Sequence, residues 1–118
     1  MTTAVAAEWV VSDIDGGVRI AAAADGTEMV SAEVVQCRGV IYRLADAVLN
    51  DPPEPIDAAL LARAENEAVR LGAHALKIAV GGNYRKFFTG LGYFEKGTSH
   101  TGSEGTQYDM KKVITDGR

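Results

Sequence analysis

At 118 residues and 47% apolar content, the chain can bury one core without covalent staples, so a single domain spanning 1–118 is expected. Its 16 acidic residues against 12 Lys and Arg give a formal charge of −4, which argues against a dedicated nucleic-acid binder while leaving room for a local basic patch. Cys37 stands alone and can form no intramolecular disulfide, no apolar run reaches the roughly 18 to 20 residues of a membrane span, and the amino terminus lacks a basic-then-apolar export signal. The expected setting is the cytoplasm, away from membranes.

Residues 1–39 read as a β-meander. Glu8 to Ser12 is short and β-branched, Asp13 to Gly17 is turn chemistry, and Val18 to Ala23 resumes alternation. Asp25-Gly26-Thr27 supplies a second turn before Glu28 to Gln36. The alanines weaken a strand reading, since alanine favours helix.

Residues 40–72 read as two helices joined by a proline-rich linker. Val40, Ile41, Leu44, Ala45, Val48 and Leu49 recur at three-and-four spacing, which predicts a first helix over Val40–Asn50. Asp51-Pro52-Pro53-Glu54-Pro55 would stop it, because proline lacks an amide donor and restricts its predecessor. A second helix follows, with Asp57 placed to cap it, Leu60, Leu61, Ala64, Ala68 and Leu71 on its apolar face, and Gly72 to end it.

Residues 73–115 read as a β-α-β-β unit. Ala75 to Val80 is an internal strand interrupted only by Lys77, a double glycine bends the chain, and a short basic-aromatic helix exits through Leu91-Gly92-Tyr93 into further strands. The loop Gly97–Gly105 is glycine-rich and polar, suited to a mobile flap or to disorder. His74 and His100 have no carboxylate or thiol at metal-ligand spacing, so no metal is expected.

The order Leu71-Gly72-Ala73, Leu76 to Val80, Arg85-Lys86-Phe87-Phe88-Thr89-Gly90-Leu91-Gly92-Tyr93 and Tyr108-Asp109-Met110-Lys111-Lys112 resembles the carboxy-terminal half of the GNAT-family N-acetyltransferases. It is also similar to the end of the acetyltransferase-like domain of the Elongator catalytic subunit. The resemblance covers roughly Asp57 to Val113. It implies an α/β (α+β) fold, a mixed and mostly antiparallel central sheet with flanking helices, in a minimal, degenerate or truncated form. The family's pair of helices after the first strand is missing, since only turns separate Val11 from Val18.

The resemblance also implies acetyl-CoA as cofactor and an amine of an unknown acceptor as substrate. In the family two parallel strands splay apart, the pantetheine arm lies in the gap, and a Q/R-x-x-G-x-G/A loop at a helix amino end holds the pyrophosphate. Carried onto this chain, Ile78, Ala79 and Val80 would give backbone contacts to pantetheine, and Gln36, Arg38 and Gly39 would form the phosphate loop, with Ile41 where glycine or alanine stands in the family. The same residues also read as a plain strand-to-helix turn containing glycine. Asn83, Arg85 and Tyr84 would lie near the thiol end. Phe88 occupies the place of the family's acidic tyrosine and has no proton to give, which leaves Tyr84 as the substitute. Two functions follow: a small N-acetyltransferase, or a catalytically degenerate module acting through protein contacts, for instance as a homodimer pairing its sheets.

Overall fold

The computed structural model describes residues 7–100 and 106–114, the side chains of 99 and 100 excepted. Four strands open the chain as an antiparallel meander: β1 (Glu8–Ile14), β2 (Gly17–Ala24), β3 (Thr27–Arg38) and β4 (Ile41–Val48). The β2–β3 turn is Asp25-Gly26, with φ of 52° and 76°, the paired positive angles that a two-residue hairpin of right-handed twist needs. The alanines of β2 serve packing, not helix: Ala21 and Ala22 are successive residues and both are buried. A Cβ at Gly17 would collide with the Val34 carbonyl, so glycine is what lets β2 start this close to β3.

The helix expected over Val40–Asn50 is strand β4, and Gly39-Val40 is the two-residue turn that leads into it, with Gly39 at φ 55°. Tyr42 and Leu44 are buried at a spacing of two, as a strand requires. The alternation then breaks at Asp46, whose φ of 47° marks a bulge where the β3–β4 register shifts. One inserted residue moves the later apolar positions out of step, and the result imitates helical spacing. The region 40–72 therefore holds one strand and one helix, and the proline-rich segment links strand to helix.

After that segment come α1 (Pro55–Arg70), β5 (Ala75–Gly81), α2 (Gly82–Gly90), β6 (Phe94–His100) and β7 (Thr106–Val113). Pro55 suits the first helical turn, where its missing N–H has no partner to lose. Of the loop expected over Gly97–Gly105, residues 97–100 belong to β6 and the remainder lies outside the described residues. The seven strands form one sheet in the order β1-β2-β3-β4-β5-β7-β6, with β4–β5 as its parallel pair and the other neighbours antiparallel. The expected mixed α/β sheet is present.

Both crossovers pack their helices on the same face, as right-handed β-α-β connections running in one direction across a sheet must. There Leu60, Leu61, Ala64 and Ala68 of α1 and Phe88 of α2 join Val18, Ile20, Val34, Leu44, Leu76 and Ile78 in one core. Side chains of a strand alternate between faces, so Arg43, Lys77 and Lys111 project from the other one. Among the described residues no helix covers that face. No helix among the described residues is long and apolar enough to cross a membrane.

Candidate active-site cleft

Strands β4 and β5 pair only where Ile41–Arg43 lie beside Ala75–Lys77. Past that point the Asp46 bulge carries β4 away, and beyond Lys77 the β4-facing edge of β5 has no strand partner among the described residues. The opening holds two adjoining cavities of about 490 Å³ and about 450 Å³ that share Leu44, Asp46, Ile78 and Ala79. Ile78 and Val80 are buried toward the helices, whereas Ala79 is exposed, so the cleft has a small residue at its middle and free backbone along its edge. An extended acyl arm with amide groups is the kind of ligand that such an edge can pair with.

The larger cavity opens on the uncovered face. Arg43, Lys77, Lys96 and Lys111 line it, together with the carboxylates of Asp46 and Asp109. The smaller cavity lies at the far end, against Val48, Leu49, Gly81 and Tyr84. Tyr84 is half-buried there. Burial raises its phenol above the ordinary value, and the charges of Asp51 and Asp57 add to the effect, so it keeps its proton at neutral pH.

That far end abuts the amino end of α1, where an anion would ordinarily be welcome. Asp57, at the third helical position and not at the cap, is fully buried. Its carboxylate accepts from the Asn50 amide at 2.9 Å, the Asn50 side chain at 3.1 Å and the Glu54 amide at 2.7 Å. Pro52, Pro53 and Pro55 have no N–H to offer. The Asp57 carboxylate thus ties the segment before the helix to its first turn, and Asp51 and Glu54 are exposed alongside.

The remaining sequence-predicted residues are spread over the molecule. Gln36, Arg38 and Gly39 sit at the β3–β4 hairpin, where Gln36 donates to the Gly39 carbonyl at 2.8 Å and closes the turn. No helix follows them, and their hairpin precedes β4 whereas the amino end of α1 follows it. Asn83 donates to Asp51 at 2.8 Å, which ties α2 to the acidic segment. Arg85 is engaged by Glu95 at 2.7 Å and stacks on Tyr108 at 4.5 Å. Phe88 is fully buried, edge-on to Phe87 and Tyr93, and faces the core. The cleft therefore brings together Ile78, Ala79, Val80 and Tyr84 and leaves the hairpin residues at its opposite end. Sequence reading missed strand β4 with its Asp46 bulge, for which the period-two pattern in Ile41–Leu44 was the signal, and the basic lining, which only strand register assembles.

No family model matches the sequence, and no curated protein matches it. Solved structures do. The aminoglycoside 6′-N-acetyltransferase from Enterococcus faecium superposes with a TM-score of 0.76 over 89% of this chain and 77% of its own, at 13% identity. An acyl-CoA N-acyltransferase from Pseudomonas aeruginosa gives 0.68 over 81% and 68%, at 12% identity. A GNAT-family protein from Desulfovibrio desulfuricans gives 0.67 over 85% and 71%, at 16% identity. The chain has the GNAT N-acetyltransferase fold.

Proposed function

We propose that this protein is a small cytoplasmic acyltransferase that takes an acyl group from acetyl-CoA or a related thioester and passes it to an amine. The observation that carries this reading is the cleft itself: a parallel strand pair that parts at a bulge and leaves the edge of β5 from Ile78 to Val80 free for an acyl arm. Similarity in fold to proteins named acetyltransferases supports the choice of chemistry. The coenzyme, when bound, supplies the activated thioester.

The chain's own residues would do three things. The free edge of β5 holds the arm in an extended form, and Ala79 leaves room for it. The partly enclosed cavity excludes water around the reacting carbonyl, where positioning contributes most of the rate. Tyr84 keeps its phenolic proton at the far end and is the candidate donor to the departing thiolate, a role worth roughly 10²- to 10⁴-fold. Asp46, Asp51 and Glu54 give that end a negative potential, which draws a cationic amine toward it; the amine attacks in its neutral form, after releasing a proton to solvent at the open mouth of the cleft.

A thermal-shift titration with acetyl-CoA tests the reading. A ligand at a hundred times its dissociation constant stabilises by roughly 2.7 kcal/mol, a Tm rise on the order of 10 °C for a domain of this size. No shift at millimolar coenzyme would contradict it.

A further inference from the structure

The cavity on the uncovered face is lined by charges that the chain sorts and does not pair. Arg43 lies beside Lys77, and Lys77 lies beside Lys111, in direct register across β4, β5 and β7. One ladder step further along, two residues from Lys77 and two from Lys111, Ala79 and Asp109 lie beside each other. On the β4 side of Ala79, Asp46 lines both cavities from its place at the bulge. The lining therefore has a row of cations and, about 7 Å along the strands, a row in which two carboxylates flank an alanine.

Folding gains nothing from this sorting. Like charges directly opposite on neighbouring strands destabilise a sheet, and alternating the signs across the strands would remove that cost. Yet among the described residues Arg43, Lys77, Lys96 and Lys111 make no ion pair, and neither do Asp46 and Asp109. The charges of other surfaces do pair, as Arg19 with Glu28 and Arg85 with Glu95. Room is kept beside the carboxylates as well. Asp109 has Ala79 on one side and Gly97 on the other, and nothing stands within 4 Å of where a side chain at Gly97 would begin.

We propose that this cavity is the acceptor site and that the acceptor is a small primary amine which itself carries a carboxylate or a phosphate. Its nitrogen arrives as a cation between Asp46 and Asp109, over Ala79 at the edge of the cleft. Its anionic group reaches back to Lys77 and Lys111, with Arg43 and Lys96 to either side. The assignment rests on the acyltransferase reading and names the substrate class of that site. Because the two rows are one ladder step apart, nitrogen and anion of the acceptor lie within about 7 Å of each other. A cavity of about 490 Å³ holds a molecule of that size. After one proton has gone to solvent, the neutral nitrogen bonds to the acyl carbon and the carbon–sulfur bond breaks. The nitrogen's surplus proton also leaves to solvent, and the sulfur takes the proton of Tyr84, which solvent restores.

Matched amines test this on the full chain: O-phosphoethanolamine against ethanolamine, and γ-aminobutyrate against its methyl ester, each pair differing in the anion. Without coenzyme, amide NMR should show the anionic member moving the Lys77, Asp109 and Lys111 signals at concentrations at least about tenfold lower than its counterpart. With acetyl-CoA present, thiol release should give the anionic member a kcat/KM about tenfold higher or more, since a few exposed charge contacts contribute modestly each. Added salt should shrink that preference, a check that needs no variant. In Lys77→Glu/Lys111→Glu, with folding confirmed by circular dichroism, the preference should vanish or invert. The pair with the larger preference identifies the anion as phosphate or carboxylate. Equal behaviour within both pairs, or acetyl-CoA binding with no thiol released to any of these amines, would overturn the acceptor class and leave the coenzyme site standing. Inorganic phosphate that moves the same signals at the same concentrations as O-phosphoethanolamine would also overturn it, because the nitrogen would then contribute nothing. Failure of acetyl-CoA itself to bind would overturn this proposal and the acyltransferase reading together.

Discussion

Lys111 and Lys112 are neighbours in the chain and opposites in circumstance. Lys112 turns to the helix face, where it meets Glu65 of α1 at 2.8 Å and lies 5.7 Å from the ring of Tyr93. Lys111 turns to the uncovered face and stands in register with Lys77, another cation, without an ion pair among the described residues. The same contrast separates the two ends of the cleft: the segment before α1 has its Asn50 and Glu54 donors matched by Asp57, and the row Arg43, Lys77 and Lys111 has its charges unmatched among the described residues. Groups matched within the chain hold the fold together. Groups left unmatched at a cleft cost stability and are available to a ligand.

Breaking the matched side should have the largest effect. Asp57→Ala removes a fully buried carboxylate and leaves the Asn50 and Glu54 amides without their acceptor, and chemical denaturation should show a loss of about 3 kcal/mol. A loss below about 1 kcal/mol would mean that the segment is not held by this carboxylate. Next comes Tyr84→Phe, expected to lower turnover roughly 100-fold with acetyl-CoA affinity unchanged; parallel losses of binding and turnover would make Tyr84 a packing residue.

Tyr93→Phe sharpens the comparison from the helix side. Tyr93 is almost fully buried and donates to Glu65 at 3.1 Å, so its removal should cost about 1.5 kcal/mol at neutral pH. Burial first, and then Glu65, push its phenol far above the ordinary range. A raised folded value means that this contribution is complete below the unfolded tyrosine pKa of about 10 and is lost as pH rises beyond it. The parent's stability should therefore fall more steeply above about pH 10 than that of Tyr93→Phe. Identical slopes would refute the assignment. The smallest effect is expected for Lys77→Ala/Lys111→Ala, within about 0.5 kcal/mol of the parent and on the stabilising side, because repulsion is relieved.

The comparison also shows what could be read in the sequence. Local chemistry was legible where one period governed: the α1 apolar face, the Asp25-Gly26 turn and the β5–α2–β6 order follow from spacing and turn residues alone. It failed at β4, where a single residue at Asp46 shifted the alternation and made a strand look helical. That misreading hid the site, because a strand at Ile41–Val48 is one wall of the cleft, and the residues after Gly39 were then assigned to an anion-binding helix that does not exist. Asp57 was visible as a helix-end residue, but its threefold acceptance from Asn50 and Glu54 depends on how the proline segment folds back. The basic row was invisible for a different reason: Arg43, Lys77 and Lys111 are far apart in sequence and meet only through strand register.

The most direct test of the cleft as an acyl-thioester site is to close it. Ala79 lines both cavities, and its side chain projects into exposed space. Ala79→Trp should leave the fold intact by circular dichroism and abolish the acetyl-CoA binding seen by calorimetry in the parent. Binding of equal affinity in the folded Ala79→Trp variant would contradict the account.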